Sequence, residues 1–181
     1  MNWIIWIIIA CEIGFWVLII LGLTARYLLN RKKLGLVLLA LTPLVDLLLL
    51  AVSAIDLYHG AKANIGHGLA AVYIGVSVGF GKNMIRWADR QFRIRVLKTG
   101  EKEKDLFGLE FAKANLIGWL RHLLAYCIGG SLIAATVLFV GDFERTSELV
   151  GIMRVWTIVL AIDLIITLSY FFWPKKEKGR I

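Results

Sequence analysis

Three carboxylates interrupt stretches that are otherwise almost wholly apolar: Glu12 in "WIIWIIIACEIGFWVLIILG", Asp46 in "PLVDLLLL" and Asp163 in "VWTIVLAIDLIITL". A carboxylate at the centre of a membrane helix costs about 2.5–3.5 kcal/mol on insertion scales, so it is retained for a reason: to bond helices together, to carry a proton or to bind a cation. A second group, Asp56, His59 and His67, brackets the stretch "DLYHGAKANIGHG". A carboxylate with two imidazoles is a metal-ligand set by type, but these spacings match no standard site, and no metal is assigned to them. Cys11 and Cys127 lie inside apolar segments and read as small buried hydrophobes. Walker-type and His-Glu-x-x-His motifs are absent from the sequence. We therefore assign no catalytic residue, cofactor-binding residue or cofactor, and expect no enzyme.

The elements that must position the three acids follow from composition. The chain of 181 residues is 59% hydrophobic, with a mean hydropathy of +0.75. A soluble domain is usually nearer 45–50% apolar, so the excess calls for lipid-facing surface. Five apolar stretches are long enough to cross a bilayer: residues 3–24, 34–57, 65–85, 120–140 and 150–173. Only Met1 and Asn2 precede the first, with no positive n-region and no Ala-x-Ala site after it, so it reads as a permanent span rather than a signal peptide. The third is the weakest, being rich in glycine between Gly60 and Gly81.

Charge decides the count. Arg26, Arg31, Lys32 and Lys33 lie between the first two spans, ten basic residues from Lys82 to Arg121 between the third and fourth, and Lys175, Lys176, Lys178 and Arg180 after the fifth. With five spans, 18 of the 21 Lys and Arg share one side, and only Lys62, Arg145 and Arg154 face the other. Four spans would break that pattern. The positive-inside rule thus predicts an all-α polytopic bundle of five transmembrane helices, N-terminus out and C-terminus in. Trp3, Trp6, Trp87, Trp119 and Trp173 fall where an aromatic belt would place them.

The expected non-spanning piece is a basic, amphipathic cytoplasmic loop over residues 86–119, within a single domain 1–181. Its first half, "RWADRQFRIRVLK", interleaves basic and aromatic residues as a nucleic-acid reader does. Between two spans the same composition suits a bilayer with anionic headgroups, which is the partner expected; no nucleic acid is. Its second half looks helical and extends the fourth span, with Asp105 as its N-cap. Arg86 and Asp89 are placed to pair across one helical turn.

In the third span, steps of four give His67, Ala71, Gly75, Gly79 and Asn83. The small residues Ala71, Gly75 and Gly79 form a stripe on which another helix can pack closely. This stretch, "HGLAAVYIGVSVGFGKNMIRWAD", with "PLVDLLLL" before it, resembles a family of small uncharacterised multi-pass integral membrane proteins of Bacillus-type and related Gram-positive bacteria. The resemblance implies a bacterial plasma-membrane location and carries no activity or ligand with it.

Counted from the outer ends of their spans, Glu12, Asp46 and Asp163 lie within roughly 5 Å of one depth, at 1.5 Å per helical residue. No Lys or Arg shares that depth. The three are expected to face the bundle interior as a polar cluster of neutral acids, donating hydrogen bonds to one another or to carbonyls. Pro43, one turn before Asp46, is expected to free the Leu39 carbonyl. Two function classes follow. The first is a structural or interaction component of the membrane, associating through its helices with a second copy or another membrane protein. The alternative is a small proton- or cation-coupled transporter using the mid-membrane carboxylates. Internal repeats, which would favour transport, are absent.

Overall fold

The computed structural model describes residues 2–99 and 105–176, with side chains from residue 6 onward. The side chain of Trp3 and the basic residues Lys102, Lys104, Lys178 and Arg180 lie outside the described residues. Five helices follow one another: α1 (Asn2–Tyr27), α2 (Lys32–Tyr58), α3 (Ile65–Arg95), α4 (Gly108–Val140) and α5 (Ser147–Phe172). Each is long and apolar enough to cross a bilayer, and α3 has the lowest mean hydropathy, 1.3 against 2.2–2.5 for the others. Large apolar side chains point outward along all five helices, among them Trp16, Ile20, Leu44, Val78, Leu138 and Ile165. Water would not tolerate so much apolar surface, whereas lipid tails do.

The turns follow local chemistry. Asn64 caps α3 by accepting from the His67 backbone N–H at 3.2 Å, while His67 Nδ1 accepts the Asn64 N–H in return. Gly141 closes α4 in the left-handed conformation (φ 68°), where glycine carries no Cβ penalty. At the end of the bundle away from the basic loops, the α2–α3 and α4–α5 turns lock together: the Ala63 N–H donates to the Arg145 carbonyl at 2.8 Å.

The described residues within 86–119 are mostly helix rather than loop. At about 1.5 Å per residue, the 31 residues of α3 and the 33 of α4 both exceed a hydrocarbon core of roughly 30 Å. Each continues past the apolar stretch, α3 as far as Arg95 and α4 from Gly108. Asp105 is not the N-cap of α4. That position belongs to Phe107, which makes no side-chain cap bond. Instead the Gly108 N–H donates to the Lys175 carbonyl at 2.9 Å, and the Lys175 ammonium sits over the Phe107 and Phe111 rings. The segment after α5 thus does the capping that the sequence assigned to Asp105.

α1 packs on α2, α2 on α3, α3 on α4 and α4 on α5, while α3 also reaches α5. The core, where α2, α3 and α4 meet, is built on Leu50, Leu57, Ala70, Ala71, Ile74 and Ile133, joined by Leu149 of α5. The α3–α4 seam is backbone against backbone. A Cβ added at Gly75 would collide with the Ala125 carbonyl oxygen, and one at Gly79 would lie 2.7 Å from the Arg121 carbonyl oxygen. From the other side, a Cβ at Gly129 would lie 2.7 Å from the Ala71 carbonyl oxygen.

Candidate functional site

Among the described residues, three places gather polar side chains that bear on the candidate site. The first is the buried face of α2, which shows Thr42, Asp46, Leu50, Ser53 and Leu57 at helical spacing. Asp46 is 3% exposed and its Oδ2 has no hydrogen-bond partner; Ser53 Oγ, two turns on, has none either. Cys11 of α1 lies within electrostatic reach of Asp46. The Leu39 carbonyl that Pro43 leaves without its helical donor is met by the Thr42 hydroxyl at 2.9 Å, so the proline does not leave it bare.

The second place is the seam between α4 and α5. His122 Nδ1 lies 2.9 Å from Asp163 Oδ2, and the Trp156 indole N–H donates to His122 Nε2 at 3.1 Å. An indole nitrogen only donates. His122 Nε2 therefore carries a lone pair and the ring hydrogen sits on Nδ1, so Asp163 accepts from His122. Trp119 donates to the Leu160 carbonyl at 3.1 Å. Because the Thr157 hydroxyl donates to Met153, it accepts from Tyr126 at 2.7 Å.

The third lies at the end of the bundle that carries the basic loops, beyond residue 85. The Arg26 guanidinium makes a two-pronged bond to Asp89, to Oδ1 at 2.7 Å through Nε and to Oδ2 through a terminal nitrogen. Tyr27 donates to the same carboxylate at 3.0 Å, and Arg26 also reaches the Lys32 carbonyl at 3.2 Å. The Arg26 hydrogen bond, more than its charge, holds the Asp89 carboxyl below its ordinary value despite partial burial. The expected Arg86–Asp89 pair does not form. Arg86 turns back to Asn83 and the Lys82 carbonyl, because Asp89 faces α1.

Glu12, Asp46 and Asp163 are thus brought to separate surroundings. Glu12 is exposed on α1, Asp46 is buried, and Asp163 is partly exposed on α5 in contact with His122. Asp163 accepts where sequence reasoning made it a donor. His59 and His67 are likewise apart in role: His59 Nδ1 bonds the Ile55 carbonyl, and His67 is spent on the capping box. Among the described residues no three His, Cys, Asp or Glu side chains gather as a metal would require. Sequence reasoning missed His122 as the partner of Asp163. One signal was present: in a helical hairpin, residues about equally far from its turn face each other, and these two stand so about the turn at 141–146.

The fold and its polar seams define a multi-pass integral membrane protein. The chain is 54% identical over 179 residues to the "Uncharacterized membrane protein YmcC" of Bacillus subtilis (strain 168), covering 99% of this chain and 97% of that protein. It belongs to the same family, located in the plasma membrane of Gram-positive bacteria. No family model matches the chain, and no solved structure does.

Proposed function

We propose that the protein is a structural or interaction component of the membrane, with its N-terminus outside, its C-terminus in the cytoplasm and no catalytic chemistry of its own. The observation that carries this reading is the direction of the polar bonds. Asp163 to His122, His122 to Trp156, Trp119 to Leu160 and Arg26 to Asp89 each join one helix to another. Side chains used in this way fix which helices lie side by side. The orientation is supported by the 18 basic residues on one side. They would also meet anionic headgroups there, worth about 1 kcal/mol for each Lys or Arg near the surface. The outward apolar faces leave room for a second copy or another membrane protein.

A second reading, a small proton- or cation-coupled transporter, is favoured by one atom, the buried Asp46 Oδ2 without a partner. One experiment separates the two. Purified protein is reconstituted in liposomes under a pH gradient and flux is followed with an entrapped pH dye, beside Asp46→Asn and Asp163→Asn. The structural reading expects both variants to fold and the wild type to leak no faster than empty liposomes. A flux present in the wild type and lost in a folded Asp46→Asn would replace it with the transporter.

A further inference from the structure

We infer that His122 is a proton-operated latch between α4 and α5, with the proton as its ligand and Nε2 as the binding atom. The latch is independent of which reading above holds. In the structure both ring nitrogens are committed: Nδ1–H to Asp163 and the Nε2 lone pair to the Trp156 N–H. A neutral imidazole can satisfy this pair of neighbours in only one tautomer. A second proton has one place to go, Nε2, where it forms an N–H bond and takes up the lone pair that held Trp156. Two donors then face each other, and the Trp156 bond breaks. The imidazolium so formed keeps its Nδ1–H on Asp163, where the bond becomes a charge-assisted one and strengthens. Protonation therefore exchanges Trp156 for a tighter hold on Asp163.

The surroundings make this exchange matter. From α5 the titratable group facing His122 is Asp163; from α3 it is the uncharged Phe80 ring that lies against it, 6.4 Å between centroids. On α4 itself the neighbouring Arg121 turns its backbone carbonyl toward Gly79, and Tyr126 is engaged with Thr157. Asp163 is thus the one acid in contact with the ring among the described residues. Its side chain is 42% exposed and that of His122 19%, so the pair lies near the surface of the bundle. Trp156, by contrast, is 8% exposed and its ring lies against Gly129, within 2.7 Å of where a Cβ would be. Gly129 in turn abuts the Ala71 carbonyl of α3. Freeing the indole loosens the ring that presses on the α3–α4 seam, so a proton taken up between α4 and α5 is felt at α3.

The test uses the full chain in lipid nanodiscs, with 15N-labelled histidine and tryptophan. His122 is the histidine whose signals vanish in His122→Gln. The latch expects, at neutral pH, a hydrogen on His122 Nδ1, a bare Nε2 and a Trp156 indole N–H coupled to it. On acidification Nε2 gains a hydrogen and the coupling to Trp156 is lost. Asp163→Asn keeps an oxygen that can accept the Nδ1 hydrogen, so release of Trp156 when Nε2 gains a hydrogen is expected in that variant as well. A hydrogen on Nε2 at neutral pH, or a Trp156 contact that survives protonation of His122, overturns the proposal. Both of those outcomes are read on the wild-type chain, so the latch can be refuted even if Asp163→Asn fails to fold.

Discussion

Replacing Gly75 with alanine adds one methyl group at the tightest point of the α3–α4 seam. Its carbon would meet the Ala125 carbonyl oxygen inside van der Waals contact and lie 3.1 Å from the Gly129 nitrogen. Both are backbone atoms, which cannot rotate away as a side-chain end can, so the helices themselves must separate. Overpacking of this kind costs about 1–3 kcal/mol, while alanine in place of glycine returns roughly 1 kcal/mol of helix propensity. Gly118 on α4 supplies the control, because nothing lies within 4 Å of its added Cβ and only the propensity gain remains. The two variants should therefore differ by about 1–3 kcal/mol. At roughly 2–4 °C per kcal/mol for a chain of this size, the melting midpoints should lie about 2–12 °C apart, Gly75→Ala the lower. Melting is followed with a thiol-reactive dye in detergent, on a Cys127→Ala background that leaves buried Cys11 as the reporter. Equal midpoints for Gly75→Ala and Gly118→Ala would refute the close-packed seam.

Other expectations address orientation and the polar contacts. A reporter fused after Ile181 should be cytoplasmic, and single cysteines at Lys62 and Ser147 should label from outside; an external C-terminal fusion would reverse the orientation. The Arg26–Asp89 clasp should stabilise fully above the ordinary carboxylate value of 3.8 and weaken as pH falls through the lower folded-state value, since the depressed group must be protonated to release Arg26. A melting curve at pH 5 should accordingly match one at pH 7 for this contact, and Asp89→Asn should lower both by a similar amount, about 1.5–3 kcal/mol for a hydrogen bond to a charged group. Asp46→Asn should be purified at wild-type yield, because the acid's Oδ2 has no partner to lose; a collapse in yield would point to an Asp46 contact that the amide cannot keep.

How much of this protein was legible in its sequence depends on how far apart the interacting residues stand. The five helices were legible, since each is a run of apolar residues long enough to span lipid and needs no knowledge of its neighbours. So was the small-residue face of α3, because Ala71, Gly75 and Gly79 recur every four residues on one helix. Periodicity within one helix also predicted contacts between its own residues, and there it misled: Arg86 and Asp89 are three apart, yet Asp89 turns to Arg26, 63 positions earlier. Depth along each span can be counted from the sequence, and it placed Glu12, Asp46 and Asp163 near one level. Depth says nothing of the angle at which a helix faces its neighbours. That rotation comes from packing the whole bundle, as backbone contacts at Gly75, Gly79 and Gly129 set how α3 and α4 approach. It leaves Glu12 exposed, buries Asp46 and brings Asp163 against His122, 41 residues away. The apolar lengths and the spacing of small residues were properties of the chain alone; the partner of each polar group was decided only when helix met helix.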